Sequence, residues 1–118
     1  MVGGRTGGIG SNLDAAEALD VAEGSWRELP PMPTARGGSA AAATSNGFVV
    51  SAGGEADATF DEVEAYDVSA DGWFSLPPMP TARHGLAVVV VGTVVYTVAG
   101  GTVPGLSVSG AVEVIDLF

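Results

Sequence analysis

Leu29-Pro30-Pro31-Met32-Pro33-Thr34-Ala35-Arg36 returns, residue for residue, as Leu76-Pro77-Pro78-Met79-Pro80-Thr81-Ala82-Arg83, 47 residues further along the chain. Proline has no N–H and a fixed φ, and it pushes the residue before it out of the α region. The octet is therefore neither helix nor central strand. It reads as an extended connector that rises about 3 Å per residue and reaches about 25 Å. Crossing a four-stranded sheet takes three gaps of about 4.8 Å each. The connector is long enough to leave the outer strand of one sheet and reach the inner strand of the next.

Other landmarks keep the same period. Trp26 returns as Trp73, Gly53-Gly54 as Gly100-Gly101, and Glu17-Ala18-Leu19-Asp20 as Glu64-Ala65-Tyr66-Asp67. Gly3-Gly4 is an earlier copy of the glycine pair, and Glu113-Val114-Ile115-Asp116 a later copy of the acidic strand, after a loop two residues longer. Self-similarity at one period marks a repeat architecture. Residues 39–43 and 48–52 flank Asn46-Gly47, a strong hairpin signal, and their counterparts 86–91 and 94–99 flank Gly92-Thr93. The alanine run at 40–43 and the stretch 12–21 lean towards helix by propensity. Their counterparts are valine-rich or alternating, so equivalence makes all of them strands. Further strands are expected at 16–21, 25–29, 62–68, 73–76 and 112–117. The small side chains at 40–43 suit a crowded innermost strand.

The 118 residues are 47% hydrophobic and include 18 glycines and 7 prolines, which fits one domain of short strands and turns. Four arginines and no lysine face fourteen acids, for a net charge of −10. That balance argues against nucleic acid, which rewards basic patches, and against anionic membranes; an acidic surface serves solubility or a cationic partner. There is no cysteine, so neither disulfides nor thiolate chemistry arise, and the compartment stays open. The first residues lack the pattern of a signal peptide, and the apolar stretch 86–99 is too short to span a bilayer.

The ordered set of hairpin, Gly-Gly, variable loop, Glu-x-Tyr-Asp, turn, Trp and Pro-Met-Pro-x-x-Arg resembles the kelch repeat, the four-stranded blade of a β-propeller. The resemblance implies an all-β chain of antiparallel blades with strands A (innermost) to D (outermost). Residues 1–37 hold the end of strand B, then C, D and the connector. Residues 38–84 hold a complete blade, and residues 85–118 hold strands A, B and C. Leu19 and Ile115 depart from the tyrosine of strand C, and Gly37 stands where His84 follows the other arginine. Two and a half blades form an incomplete ring, and propellers close theirs. The expectation is a piece of a longer propeller, with self-assembly of several copies as the alternative.

Gly3, Gly4, Gly53, Gly54, Gly100 and Gly101 are read as structural, for positive φ or close packing. The glycine-rich stretch 3–10 lacks the lysine and spacing of a phosphate loop. Trp26 and Trp73 are expected to fill space between blades, with Tyr66 at a repeated position. Arg36 and Arg83 have two readings. They grip a carboxylate ligand bidentately, or they pair with the repeated Glu17, Glu64 and Glu113 and lock neighbouring blades; the second is preferred. His84 occurs once and is read first as a hydrogen-bonded structural residue. Glu55 and Asp57, with Asp61 and Glu62, lack the calcium-loop spacing, so neither metal nor cofactor is expected. Specificity is assigned to the loops between strands B and C, at 5–13, 55–60 and 102–110, because loops on a rigid scaffold carry binding. Arg5, Asn12, Arg36, Glu55, Asp57, Arg83 and His84 are the candidate ligand- or partner-binding residues.

Two functions follow from the resemblance. The preferred one is a scaffold that binds a protein or glycan and performs no catalysis in this segment. The alternative is part of a sugar-processing propeller enzyme, similar to sialic-acid mutarotases or glycan oxidases, with its site largely elsewhere. The cysteine used by the radical-copper oxidases with a galactose oxidase-like central domain is missing here. The visible inner strands are apolar, which favours the scaffold; a convergent Arg, Glu, Tyr or His cluster among the inner-strand and B–C loop side chains would sink that preference.

Overall fold

The computed structural model describes residues 1–117, and among these there is no helix. Nine strands form three antiparallel sheets. Sheet 1 pairs β1 (Glu17–Asp20) with β2 (Ser25–Glu28). Val2 bridges Ala16, so the residues before the first loop begin a third strand on the far side of β1. Sheet 2 runs in the order β3 (Ala40–Ala43), β4 (Phe48–Ala52), β5 (Val63–Asp67), β6 (Gly72–Leu76). Sheet 3 runs β7 (Ala87–Val91), β8 (Val94–Val98), β9 (Val112–Asp116). Each strand expected from the repeat is present within a residue or two of its expected limits. The local helix propensity of the alanine run is overridden because β3 lies fully paired along β4, Ala40 opposite Ala52 and Ala43 opposite Val49.

The sheets stack face to face. Alternation along paired strands puts Val50, Ala52, Val63 and Ala65 on one face of sheet 2, and they form the core with Val95 of sheet 3. Val88, Val90 and Ile115 of sheet 3 pack against the same cluster. Met79 and Leu86, from the connector and the entry to β7, fill the gap between the sheets. At about 25 cal/mol per Å² of apolar area, each such side chain contributes about 1.5–3 kcal/mol. The inner strands touch as well: the Ser45 hydroxyl donates to the Gly92 carbonyl, at 3.4 Å.

The octet acts as the splice between blades. Met32 and Arg36 donate their amides to Asp14 and Leu13, and Met79 and Arg83 donate theirs to Asp61 and Phe60, all at 2.8–3.2 Å. Each connector is thereby zipped to its own blade's B–C loop before it crosses to the next sheet. Trp73 Nε1 donates to the Pro30 carbonyl at 2.8 Å, so this indole spans two blades, and it packs on Tyr66 with ring centroids 5.4 Å apart. Trp26 departs from the expectation. It is 59% exposed because no described sheet covers its face of sheet 1.

The glycine pairs are equivalent in space with a shift of one residue. Gly3 and Gly53 donate their amides to Ala15 and Glu62, and the residue that makes this bond in sheet 3 is Ala99, to Ala111. Ala99 holds φ 58°, beside 64° at Gly3 and 68° at Gly53. Gly100 is thus the counterpart of Gly4 and Gly54, and Gly101 the counterpart of Arg5 and Glu55. The β7–β8 turn is shorter than the β3–β4 turn, and the sequence period conceals the slip.

Candidate functional site

The site begins with two buried arginines. Arg36 and Arg83 are 0% exposed. Arg36 Nη1 donates to the carbonyls of Gly53 and Glu62, at 3.1 and 2.8 Å. Arg83 Nη1 donates to those of Ala99 and Ala111, at 2.8 and 3.1 Å. Each pair of carbonyls marks the two ends of one B–C loop. Each arginine therefore closes the neck of the loop in the next blade along.

The second nitrogens reach acids. Arg36 Nη2 faces Glu64 Oε2 at 2.5 Å, with no other partner for either atom, and Thr34 Oγ1 donates to Glu64 Oε1 at 2.6 Å. Arg83 Nη2 meets Glu113 Oε2 at 2.8 Å and donates to Thr97 Oγ1 at 2.7 Å. Burial works to raise the Glu113 pKa, but hydrogen bonds from Thr81 and Arg83 and the charge of Arg83 outweigh it, and the group is held below the ordinary carboxylate range. These guanidinium groups point into the blades rather than towards solvent. Glu17, at the same position in sheet 1, has no arginine partner among the described residues.

Above the clamped necks, Glu55 joins the three loops. Its Oε1 lies 3.3 Å from Arg5 Nη2 of the first loop, and its carbonyl accepts from Asn12 Nδ2 at 2.8 Å. Its Oε2 accepts from the Gly105 amide of the third loop at 2.8 Å and sits 3.6 Å from His84 Nδ1. The Gly105 N–H does most to hold the Glu55 pKa below its ordinary value; burial opposes it, and the charges of His84 and Arg5 add to it. Thr59 Oγ1 donates to the Thr102 carbonyl at 3.0 Å, a second tie between loops two and three. Four of the seven candidates, Arg5, Asn12, Glu55 and His84, thus come together. Arg36 and Arg83 lie beneath them, and Asp57 stands exposed on the same loop away from the cluster.

The Gly37–His84 difference has a steric cause. A Cβ at Gly37 would fall 2.8 Å from Arg5 Nη2 and 2.8 Å from Asn12 Oδ1. At the next junction the large side chain is His84 and the glycine is Gly101, where a Cβ would lie 2.7 Å from His84 Nε2. Each bridged pair, Gly37 with Glu55 and His84 with Gly101, joins one glycine to one bulky polar side chain. Gly105 and Ser107 were not singled out from sequence, and Gly37 was noted only as the departure at the position of His84. The one available signal was the Gly-for-His exchange at a repeated position.

Ser107, His84 and Glu55 lie in a row that resembles a hydrolase triad, but the protons are wrongly placed. His84 Nε2 is 2.9 Å from the Val103 carbonyl, an acceptor, so it carries its proton there and has no lone pair for Ser107 Oγ at 3.4 Å. Ser107 Oγ itself donates to Val103 O at 2.7 Å. A general base needs that lone pair. Among the described residues no group of three His, Asp or Glu side chains converges as metal ligands.

The cluster is flanked by apolar side chains in the open. Val103, Leu106 and Val108 of the third loop are 55%, 106% and 93% exposed, and Ile9 of the first loop is also exposed. The arrangement is a polar lock beneath a partly apolar rim.

The comparisons agree with this architecture. The family model described as Kelch motif matches residues 2–33, which cover the first loop, β1, β2 and the start of the connector. No curated protein matches the chain. Residues 2–33 match the motif, and sheets 2 and 3 repeat its strand order beyond the matched residues; the chain is an all-β set of antiparallel blades similar to those of kelch-type propellers.

Proposed function

We propose that the chain is a binding scaffold that recognises a protein partner through the face built by loops 5–13, 55–60 and 102–110. The observation that carries this reading is the Glu55 junction. Three loops of unlike sequence are fixed to one another by a buried carboxylate, above necks closed by Arg36 and Arg83. Such a platform loses little conformational entropy on binding. The exposed Val103, Leu106 and Val108 offer apolar contact, and the acidic chain favours a cationic rim on the partner.

A photo-crosslinking residue placed at Leu106, compared with one at Val68 on an outer turn, tests the reading in cells. Protein adducts specific to position 106 and lost in Glu55→Ala support it. Equal adducts at both positions, or glycan-array binding without protein adducts, refute it.

A second reading, action on sugars, draws on the convergence of Arg5, Glu55 and His84. These groups are turned towards one another and largely buried, and β3 and β7 present alanine and valine. Assays for sugar oxidation and for sialic-acid mutarotation separate this reading from the first.

A further inference from the structure

We infer that His84 is a proton-operated latch on the third loop: the doubly protonated ring ties residues 103–107 to Glu55, and loss of one proton loosens them. As regulation of partner binding the latch rests on the function proposed above; as a change in the loop it does not.

Among the described residues, the segment 103–107 is attached to the other loops through Glu55 and His84. The Gly105 N–H donates to Glu55 Oε2 at 2.8 Å, and the Val103 carbonyl lies 2.9 Å from His84 Nε2. The other bonds of the segment are internal, with Val103 N–H donating to Ser107 Oγ and Ser107 Oγ donating to the Val103 carbonyl. The ring reaches both attachments, because its Nδ1 is 3.6 Å from the same Glu55 Oε2.

Every side-chain or carbonyl oxygen facing the ring is an acceptor towards it. Nε2 faces the Val103 carbonyl and, at 3.4 Å, a Ser107 hydroxyl whose proton is already on that carbonyl. Nδ1 faces a carboxylate oxygen. A neutral imidazole has one N–H and one lone pair. Whichever tautomer it adopts, it serves one loop and turns a lone pair on the other. Only the imidazolium, a donor at both nitrogens, satisfies both.

The charged groups around the ring are few. Arg5 lies 3.3 Å from Glu55 Oε1, the carboxylate oxygen away from His84, and its charge opposes a second cation. Arg83, the chain neighbour, is turned into the blade onto Glu113 and Thr97. Asp57 is exposed on the second loop, and residues 102–110 contain no titratable side chain. Protonation adds the missing donor, so the latch is shut in acid and opens as pH rises through the range in which histidine titrates, about pH 5–8. Its lower limit is the ionisation of Glu55, whose pKa the Gly105 N–H holds below the ordinary value against the effect of burial. Val103 and the fully exposed Leu106 belong to the latched segment, so the ring governs how firmly the apolar rim is held.

The test is an NMR titration of the whole, unaltered chain from about pH 8 to about pH 5.5, across the histidine range. The His84 ring and the Val103 and Gly105 amides are followed together. Common midpoints are expected, with amide exchange, corrected for its intrinsic pH dependence, slowing by about fivefold on acidification, the upper end for a partly exposed ion pair. In His84→Gln, which is neutral at every pH, the change is expected to vanish. A ring that titrates without a response at Gly105, loop exchange indifferent to pH, or a response that persists in His84→Gln overturns the latch. Cross-linking from position 106 reads the binding function separately: a flat loop response with cross-links intact sinks the latch alone, and a loop response without cross-links supports the latch and sinks the binding reading.

Discussion

Replacing Arg83 by methionine keeps most of the side chain's volume and removes its charge. The structure sets out what is lost. Glu113 loses its guanidinium partner at 2.8 Å with its side chain only 16% exposed, and the carbonyls of Ala99 and Ala111 and the Thr97 hydroxyl each lose a donor. Removing one member of a buried pair costs about 3–5 kcal/mol. In urea, with a slope of about 1–3 kcal/mol per molar for a small protein, a loss of about 4 kcal/mol lowers the midpoint by about 1–4 M. Trp73 fluorescence follows the unfolding, because this indole lies at the junction of two blades. Adding Glu113→Leu removes the orphaned carboxylate but leaves two carbonyls unpaired. At about 1 kcal/mol or more for each, the double variant recovers roughly half of the loss. A midpoint change equivalent to less than about 1 kcal/mol, the range of surface pairs, would show that the loop necks do not depend on the arginine. So would a double variant whose loss is simply the sum of the two single ones.

Ala99→Gly is expected to stabilise by about 0.5–1 kcal/mol, because left-handed φ costs an L-residue about 1–2 kcal/mol and glycine returns part of that as entropy; Gly53→Ala, whose Cβ would collide with the Arg83 carbonyl and fall 2.8 Å from Leu86 Cδ2, is expected to cost more than about 2 kcal/mol, both read from urea midpoints. Glu55 and Glu113 are held below their ordinary pKa of 4.5; their stabilising contribution is complete above that value and is lost as pH falls through the lowered folded pKa. Thermal midpoints should therefore drop on acidification below about pH 4.5, and Glu113→Gln should flatten the drop. Glu55→Gln weakens the tie between loops, and amide exchange across residues 102–107 should quicken by about tenfold, the equivalent of one charged hydrogen bond; unchanged exchange would show that the bonds from Thr59 to Thr102 and from His84 to Val103 hold the third loop without it. Trp73→Phe removes the bond to the Pro30 carbonyl and should cost about 1 kcal/mol in the same urea assay.

The octet, the acidic strand and the hairpin turns were legible because proline, β-branched residues and Asn-Gly restrict the backbone wherever they occur. Their repetition removed the ambiguity of the alanine run. The partnership of Arg36 with Glu64 and of Arg83 with Glu113 was legible as repetition. Its depth was not, because neither the carbonyls of Gly53, Glu62, Ala99 and Ala111 nor the burial of the guanidinium groups leaves a trace in residue types.

What the chain's letters determined by themselves was the local and periodic part: strands, turns, connectors and their order. The meeting of Arg5, Glu55, His84 and Gly105 was decided only when the sheets stacked, since these residues lie on different loops up to 100 positions apart and share no spacing. The same holds for Ala99 in place of a glycine. A hairpin two residues shorter displaces the register by one, and hydrogen bonding to Ala111 and Arg83, not similarity of sequence, fixes which residue takes the left-handed turn.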